Sequence, residues 1–250
     1  MQRLLAKISY DGTNFCGWQI QPTDRTVQQE IEAALTKIAK TEITVVAAGR
    51  TDAGVHALDQ HIHFDFPLNM TPMQIVKATQ TKLAKDIKIV SIAQVKSDFH
   101  ARYDAFSRSY YYIITRNPDP FNRYYKSSFK HSNIDLETMQ SCAKQFIGKH
   151  DFTSFSKFNP DIKSTVCTIS SFEITQKESD IIFKIAADRF LHNMVRRIIG
   201  TIINISDAKE PPQIITKLIE AKSTANKLIT TAPPEGLYLE NVKYPAESFI

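Results

Sequence analysis

The chain reads as a mixed α/β protein in two halves, and three observations predict this. Its 250 residues are 42% hydrophobic, enough for one large core or two smaller ones, at the upper edge of a single domain. Short β-branched apolar runs alternate with stretches whose apolar residues recur at helical spacing. The same order of elements comes round twice, with neither a sequence repeat nor a low-complexity linker between the rounds. The expected boundary is near Ala105, giving halves of residues 1–105 and 106–250.

In the first half, Leu4 to Tyr10 has strand character. Thr26-Val27-Gln28-Gln29 then supplies a capping-box pattern ahead of Ile31, Leu35 and Ile38, one turn apart on a helix. Ile43 to Val46 and His61 to Phe66 read as strands. Thr71-Pro72-Met73-Gln74 opens a second helix with a capping residue and a proline in the first turn, and Ile87 to Val95 closes the half as a strand. The order βαββαβ is that of a ferredoxin-like unit, which puts both helices on one face of an antiparallel sheet and leaves the other face free.

The second half repeats the rhythm with a strand at Ser109 to Thr115, a helix from Asp135 to Ile147, and strands near Thr165 to Thr175 and Ile181 to Ala187. A helix from Phe190 would bury Met194, Val195, Ile198, Ile199, Ile202 and Ile203, Pro211-Pro212 would begin another, and Leu237 to Val242 would complete this unit. Pro118, Pro120 and Asn122 mark an internal loop.

A net charge of +5 and a pI near 9.0 favour a polyanionic partner. Cys16, Cys142 and Cys167 are odd in number and lack CxxC spacing, which argues against a zinc site and a disulfide framework and fits a reducing cytoplasm. The chain passes from Met1 straight into a strand pattern, and no apolar run approaches the ~20 residues of a membrane span, so a soluble, unexported protein is expected. His56, His61 and His63 include an HxH pair, but no third ligand and no HExxH helix accompany them, so no metal is assigned.

The most informative stretch is Gly49-Arg50-Thr51-Asp52-Ala53-Gly54-Val55-His56-Ala57, a carboxylate between an arginine and a glycine turn. Gly49 and Gly54 would permit the turns that aim Asp52 outward. An Asp among Gly and Thr is most often a turn residue, so spacing alone does not assign chemistry. The nonapeptide, however, resembles the active-site motif of the TruA family of tRNA pseudouridine synthases. The resemblance continues in order through Tyr10-Asp11-Gly12, Gly17-Trp18-Gln19, Asp98-Phe99-His100-Ala101-Arg102, Arg108 with Tyr110 and Tyr112, and His150-Asp151-Phe152-Thr153-Ser154-Phe155. Phe190-Leu191-His192-Asn193-Met194-Val195-Arg196 and Glu235-Gly236-Leu237-Tyr238-Leu239 complete it.

That resemblance implies a pseudouridine synthase fold with a central basic cleft, and the isomerisation of uridine to pseudouridine at positions 38, 39 and 40 of the tRNA anticodon stem-loop. It implies no cofactor, because uracil leaves its ribose at N1 and rejoins through C5 without redox change. By their places in the motifs, Asp52 is the catalytic residue and Arg196 its partner, since a guanidinium favours the charged form of a neighbouring carboxylate. Arg50 enters the gap left by the flipped nucleotide, Tyr110 stacks on the uracil, and Leu237 closes the pocket. Without the resemblance, Arg196 and Arg197 read as a solvated helix face, and Tyr110 and Leu237 as core. Strand alternation puts Tyr110 and Tyr112 on one face and Tyr111 on the other.

Arg102, Arg108, Lys126, Lys130 and Lys149 are candidate phosphate contacts. The resemblance implies an arginine, common in the family, two residues after Thr165, whereas this chain has Cys167. The family implies a homodimer with tRNA as partner and no membrane association. Two rival readings are a non-catalytic RNA-binding module and an aspartate-dependent N-glycoside hydrolase. The hydrolase would need a water path and would release free uracil.

Overall fold

The computed structural model describes residues 1–128, 134–160 and 162–250. The chain forms two compact units, Met1–Ser107 together with Tyr238–Ile250, and Arg108–Leu237. Among the described residues no helix is long and apolar enough to cross a membrane.

The first unit contains β1 (Gln2–Tyr10), α1 (Val27–Ala39), β2 (Val46–Ala47), β3 (His56–Phe66), α2 (Pro72–Gln80) and β4 (Ile87–Gln94). β1 is central and pairs antiparallel with β3, from Gln2↔Phe66 to Tyr10↔Ala57, and with β4, from Leu4↔Gln94 to Tyr10↔Ile87. Alternation buries Leu4, Ala6 and Ile8 of β1 beside Ile62, Phe64 and Phe66 of β3, while Ile31 and Leu35 of α1 and Ile75 of α2 fill the same unit's core. The opposite face is not left bare as the ferredoxin-like reading expected. Leu5 packs there with Val95, Phe99 and Ala101, and Tyr244 closes over them, its hydroxyl donating to Ala101 O at 2.7 Å.

Two local expectations in this unit are corrected. Ile43 to Val46 is not a strand; only Val46 and Ala47 pair, with His63 and Ile62. Ile43 and Val45 are buried, and their amides donate to side chains of α1, Ile43 N to Thr36 Oγ1 at 3.0 Å and Val45 N to Glu32 Oε1 at 2.9 Å. The apolar run packs on the helix and satisfies its backbone there. The capping box forms in α2, where Thr71 and Gln74 bond reciprocally, but not in α1, whose Thr26 makes no side-chain cap bond.

The second unit contains β5 (Ser107–Thr115), β6 (Ser127–Ser128), α3 (Leu136–Phe146), β7 (Gly148–Asp151), β8 (Val166–Lys177), β9 (Asp180–Ala187), α4 (Met194–Asp207) and α5 (Ile214–Glu220). Its strands run in the order β5-β9-β8-β7, each neighbour antiparallel. Asp135 caps α3 by accepting from Thr138 N at 2.9 Å. Phe146, Phe152 and Phe155 are fully buried around the end of that helix, with the Phe146 and Phe155 rings edge to face at 5.1 Å.

The helix expected from Phe190 begins at Met194, because Asn193 sits in the left-handed region at φ 62 and turns the chain first. Within it Ile205 is buried where Ile203 was expected; Ile203 is half-buried. β7 was not foreseen, since Gly-Lys-His-Asp carries no alternation. The last strand, β10 (Leu237–Lys243), pairs parallel with β3 of the first unit through Tyr238↔His56 and Leu239↔Ala57, and so does not simply complete the second unit. The short β6 was not expected either; the remaining element types and the α/β class follow the sequence reading.

Candidate active site

Asp52 lies in the turn between β2 and β3. The entry to that turn is held from β3. Ala48 N donates to His61 O at 2.8 Å, and the buried Gln60 amide donates to Gly49 O at 2.8 Å. Arg50, next in line, is exposed. Thr51 turns inward, its hydroxyl 2.8 Å from the Tyr10 hydroxyl and its carbonyl accepting from Trp18 N at 3.0 Å. Asp52 is half-buried, and its carbonyl accepts from Val55 N at 3.2 Å. Burial pushes the Tyr10 phenol up to about 12, so the hydroxyl stays protonated as a hydrogen-bonding group.

The glycines explain how the loop fits. Gly54 has φ 77, and its N–H donates to Phe15 O at 3.2 Å. At Gly17, φ is 89 and a Cβ would stand 2.8 Å from Thr51 O and 3.2 Å from the Asp52 carbonyl carbon. A Cβ on Gly12 would stand 2.1 Å from Val55 O. The segment from Gly12 to Trp18 is therefore the bed on which the Asp52 turn rests. Gly49 has open space around it and no positive φ, so the expectation that it permits the turn is not met.

The second unit carries the other residues of the motif set. Tyr110 and Tyr112 are buried on one face of β5 and Tyr111 is half-buried on the other. Phe190 meets the Tyr110 ring edge to face at 5.2 Å, and the Tyr112 hydroxyl donates to Pro233 O at 2.9 Å. Arg196, half-buried in the first turn of α4, donates through Nε to Ala232 O at 2.7 Å and through Nη1 to Asn193 Oδ1 at 3.4 Å. Leu237 is buried, and the preceding Gly236 could not hold a Cβ without approaching Ile113 O to 2.6 Å.

The candidate phosphate contacts divide by exposure. Arg102 and Lys149 are exposed. Lys126 pairs with Asp180 at 2.6 Å. Arg108 is only 8% exposed and donates to Asp188 O at 2.8 Å, a strand-end tie rather than a projecting charge. Lys130 lies outside the described residues.

His56, His61 and His63 each have a packing or hydrogen-bond partner. His56 Nδ1 accepts from Gly12 N at 3.0 Å and the ring stacks on Tyr238 at 4.6 Å. His61 meets Tyr244 edge-on at 5.3 Å. His63 Nδ1 accepts from Ala101 N at 3.0 Å. Cys167 is buried on β8, where burial pushes its thiol up to about 12, so this position is part of a core.

Residues 6–104 and 142–245 match the family described as tRNA pseudouridine synthase. The chain belongs to that family. Tyr10, Arg50, Asp52 and Arg102 fall in the first matched stretch, Arg196 and Leu237 in the second, and Arg108 and Tyr110 between them. Among its relatives, the tRNA pseudouridine synthase A of Exiguobacterium sp. is 41% identical over 244 residues, 98% of each chain. That of Bacteroides thetaiotaomicron is 40% identical over 252 residues, covering all of this chain and 93% of the relative. That of Nitrosomonas eutropha is 39% identical over 245 residues, covering 98% and 88%.

In the sequence the segments around Tyr10 and Gly17 stand out only as motif blocks; that they support the Asp52 turn is visible only in the folded contacts. Gln60 was missed outright. An amide on a strand carries no local mark of the loop carbonyl it meets, 11 positions away.

Proposed function

We propose that this chain isomerises uridine to pseudouridine in the anticodon stem-loop of tRNA, at positions 38, 39 and 40, with Asp52 as the catalytic residue. The observation that carries the reading is the Asp52 turn itself: a half-buried carboxylate on a loop anchored at Gly49, Thr51 and Gly54, beside an exposed arginine, in a chain of this family.

The reaction exchanges one glycosidic bond for another. The bond from C1′ to N1 breaks, the base turns, C1′ bonds to C5, and the C5 proton is lost as N1 gains one. Reactant and product are isomers, so neither a redox partner nor an energy source is needed, and we assign no cofactor. A carboxylate suits the step as nucleophile or as aid to base departure. Extracting a stacked base costs roughly a few kcal/mol, which an intruding side chain and a stacking surface offset. We assign the first task to Arg50, the second to Tyr110 with Leu237, and charge support of Asp52 to Arg196. Arg102, exposed on its turn, is the better of the two arginine candidates for phosphate. A homodimer in the cytoplasm completes the reading, supported by the family resemblance and by three unpaired thiols.

Asp52→Asn tests the centre of it. The change removes the reactive charge and preserves shape, so pseudouridine formation should vanish while tRNA affinity stays within about threefold. Turnover by that variant, or release of free uracil by the wild type, would reject the assignment.

A further inference from the structure

We propose that Tyr10, Thr51 and Gln60 form a positioning network that sets Arg50 and Asp52 for the reaction. Resting on the proposed role of Asp52, it assigns the geometry of that residue to side chains remote from the substrate.

The network is three side chains and one backbone carbonyl, that of Gly49. Tyr10 closes β1 and Gln60 lies on β3, so both stand on paired strands rather than on the loop. Tyr10 and Gln60 are both buried. The Tyr10 hydroxyl meets Thr51 Oγ1 at 2.8 Å and also interacts with the Gln60 side chain, whose Nε2 donates to Gly49 O at 2.8 Å. The anchors fall at positions 49 and 51. The residue between them, Arg50, points to solvent, and the residue after them is Asp52.

This alternation is functional geometry. A loop pinned at every second residue from rigid strands presents the intervening side chains in one direction, and buried, satisfied polar groups hold better than exposed ones. Backbone bonds also hold the loop, through Ala48 N to His61 O, Trp18 N to Thr51 O and Gly54 N to Phe15 O. Tyr10 adds the side-chain tie: its hydroxyl is what Thr51 Oγ1 meets inside the unit.

Tyr10→Phe keeps the ring and removes the anchor. Displacing a reacting group by about 1 Å costs on the order of 100-fold, so kcat should fall about 10- to 100-fold with KM for tRNA nearly unchanged. Thr51→Val should behave alike, and Thr51→Ser, which keeps the hydroxyl, should recover most of the wild-type rate. A second readout is independent of turnover. Hydrogen exchange in a peptide spanning residues 49–56 should speed up about tenfold in Tyr10→Phe, with β1 and β4 peptides unchanged. Equal impairment of Thr51→Ser and Thr51→Val, exchange that rises throughout the unit, or unchanged exchange in the loop would each overturn the network. Absence of pseudouridine from the wild type would instead sink the functional reading, leaving exchange to judge the network.

Discussion

At the scale of single residues, Arg196 combines a structural bond with a chemical assignment, and substitutions can separate them. Its Nε donates to Ala232 O while its own carbonyl accepts from Ala232 N at 3.0 Å, so the side chain and backbone together fasten the segment before Leu237 to α4. Arg196→Lys keeps the charge and loses the planar fork. We expect kcat to drop about 10- to 100-fold with tRNA affinity preserved, and Arg196→Met to drop further. The neighbouring Arg197 is a poor control for charge. It donates to Ser156 O at 2.9 Å, burial lowers its pKa, and its Nε is buried without a partner, so Arg197→Met would disturb the fold as well as the field. The exposed Lys217 serves instead: Lys217→Met removes the same charge and should leave the rate unchanged. Equal losses in Arg196→Met and Lys217→Met would reduce the effect to general electrostatics. The motif block made Arg196 stand out in the sequence, but its grip on Ala232 spans 36 positions and no local pattern encodes such a bond.

At the scale of elements, the two helix starts of the first unit show which signals translate. Thr71 and Thr26 carry the same capping pattern, and Thr71 is exposed while Thr26 is wholly buried. An exposed cap side chain can fold back on the N3 amide; Thr26 lies in the core with Oγ1 unpartnered. Thr71→Ala should therefore cost about 1 kcal/mol, whereas Thr26→Val, which replaces an unsatisfied buried hydroxyl with a methyl of similar shape, should be neutral or stabilising by up to about 1 kcal/mol. Urea unfolding of both variants checks this, and equal destabilisation would mean that Thr26 finds a partner in solution. The same logic explains the Ile43 to Val46 run. Hydrophobic character marked it for burial correctly, but whether a buried run pairs as a strand depends on where its amides go, and these go to Thr36 and Glu32. Long periodic helices such as α4 were legible because their own pattern carries them, while their starting residue depended on Asn193 turning left-handed.

At the scale of the whole molecule, motif order along the chain revealed the family and hence the class, because those blocks are separate and specific. The pairing of β10 with β3 was not legible, since strands joined across 170 residues or more leave no periodic trace of their partner. The fold's response to acid depends on its buried histidines. His63 is the clearest lever. Burial first, then the positive charges of His100 and Arg3, push its pKa down to about 4 from an ordinary value of 6.5, against the opposing carboxylates of Asp65 and Asp104. The unfolded chain therefore takes up this proton before the folded one does. The stability this group contributes is present above about pH 6.5 and is lost as pH falls toward 4. Protonation also destroys the acceptor that holds Ala101 N, so the segment through Phe99 and Ala101 that covers the β1 face should loosen first. His61, lowered chiefly by burial, acts in the same direction. The carboxylates of Asp65, Asp135 and Asp180 are held below their usual range and contribute their losses at lower pH. Urea midpoints measured between pH 7 and 4 should thus fall steadily in the wild type and less steeply in His63→Gln, which keeps an acceptor but cannot take the proton. A slope unchanged by that substitution would show that the acid response comes from other groups and that Ala101 does not depend on His63.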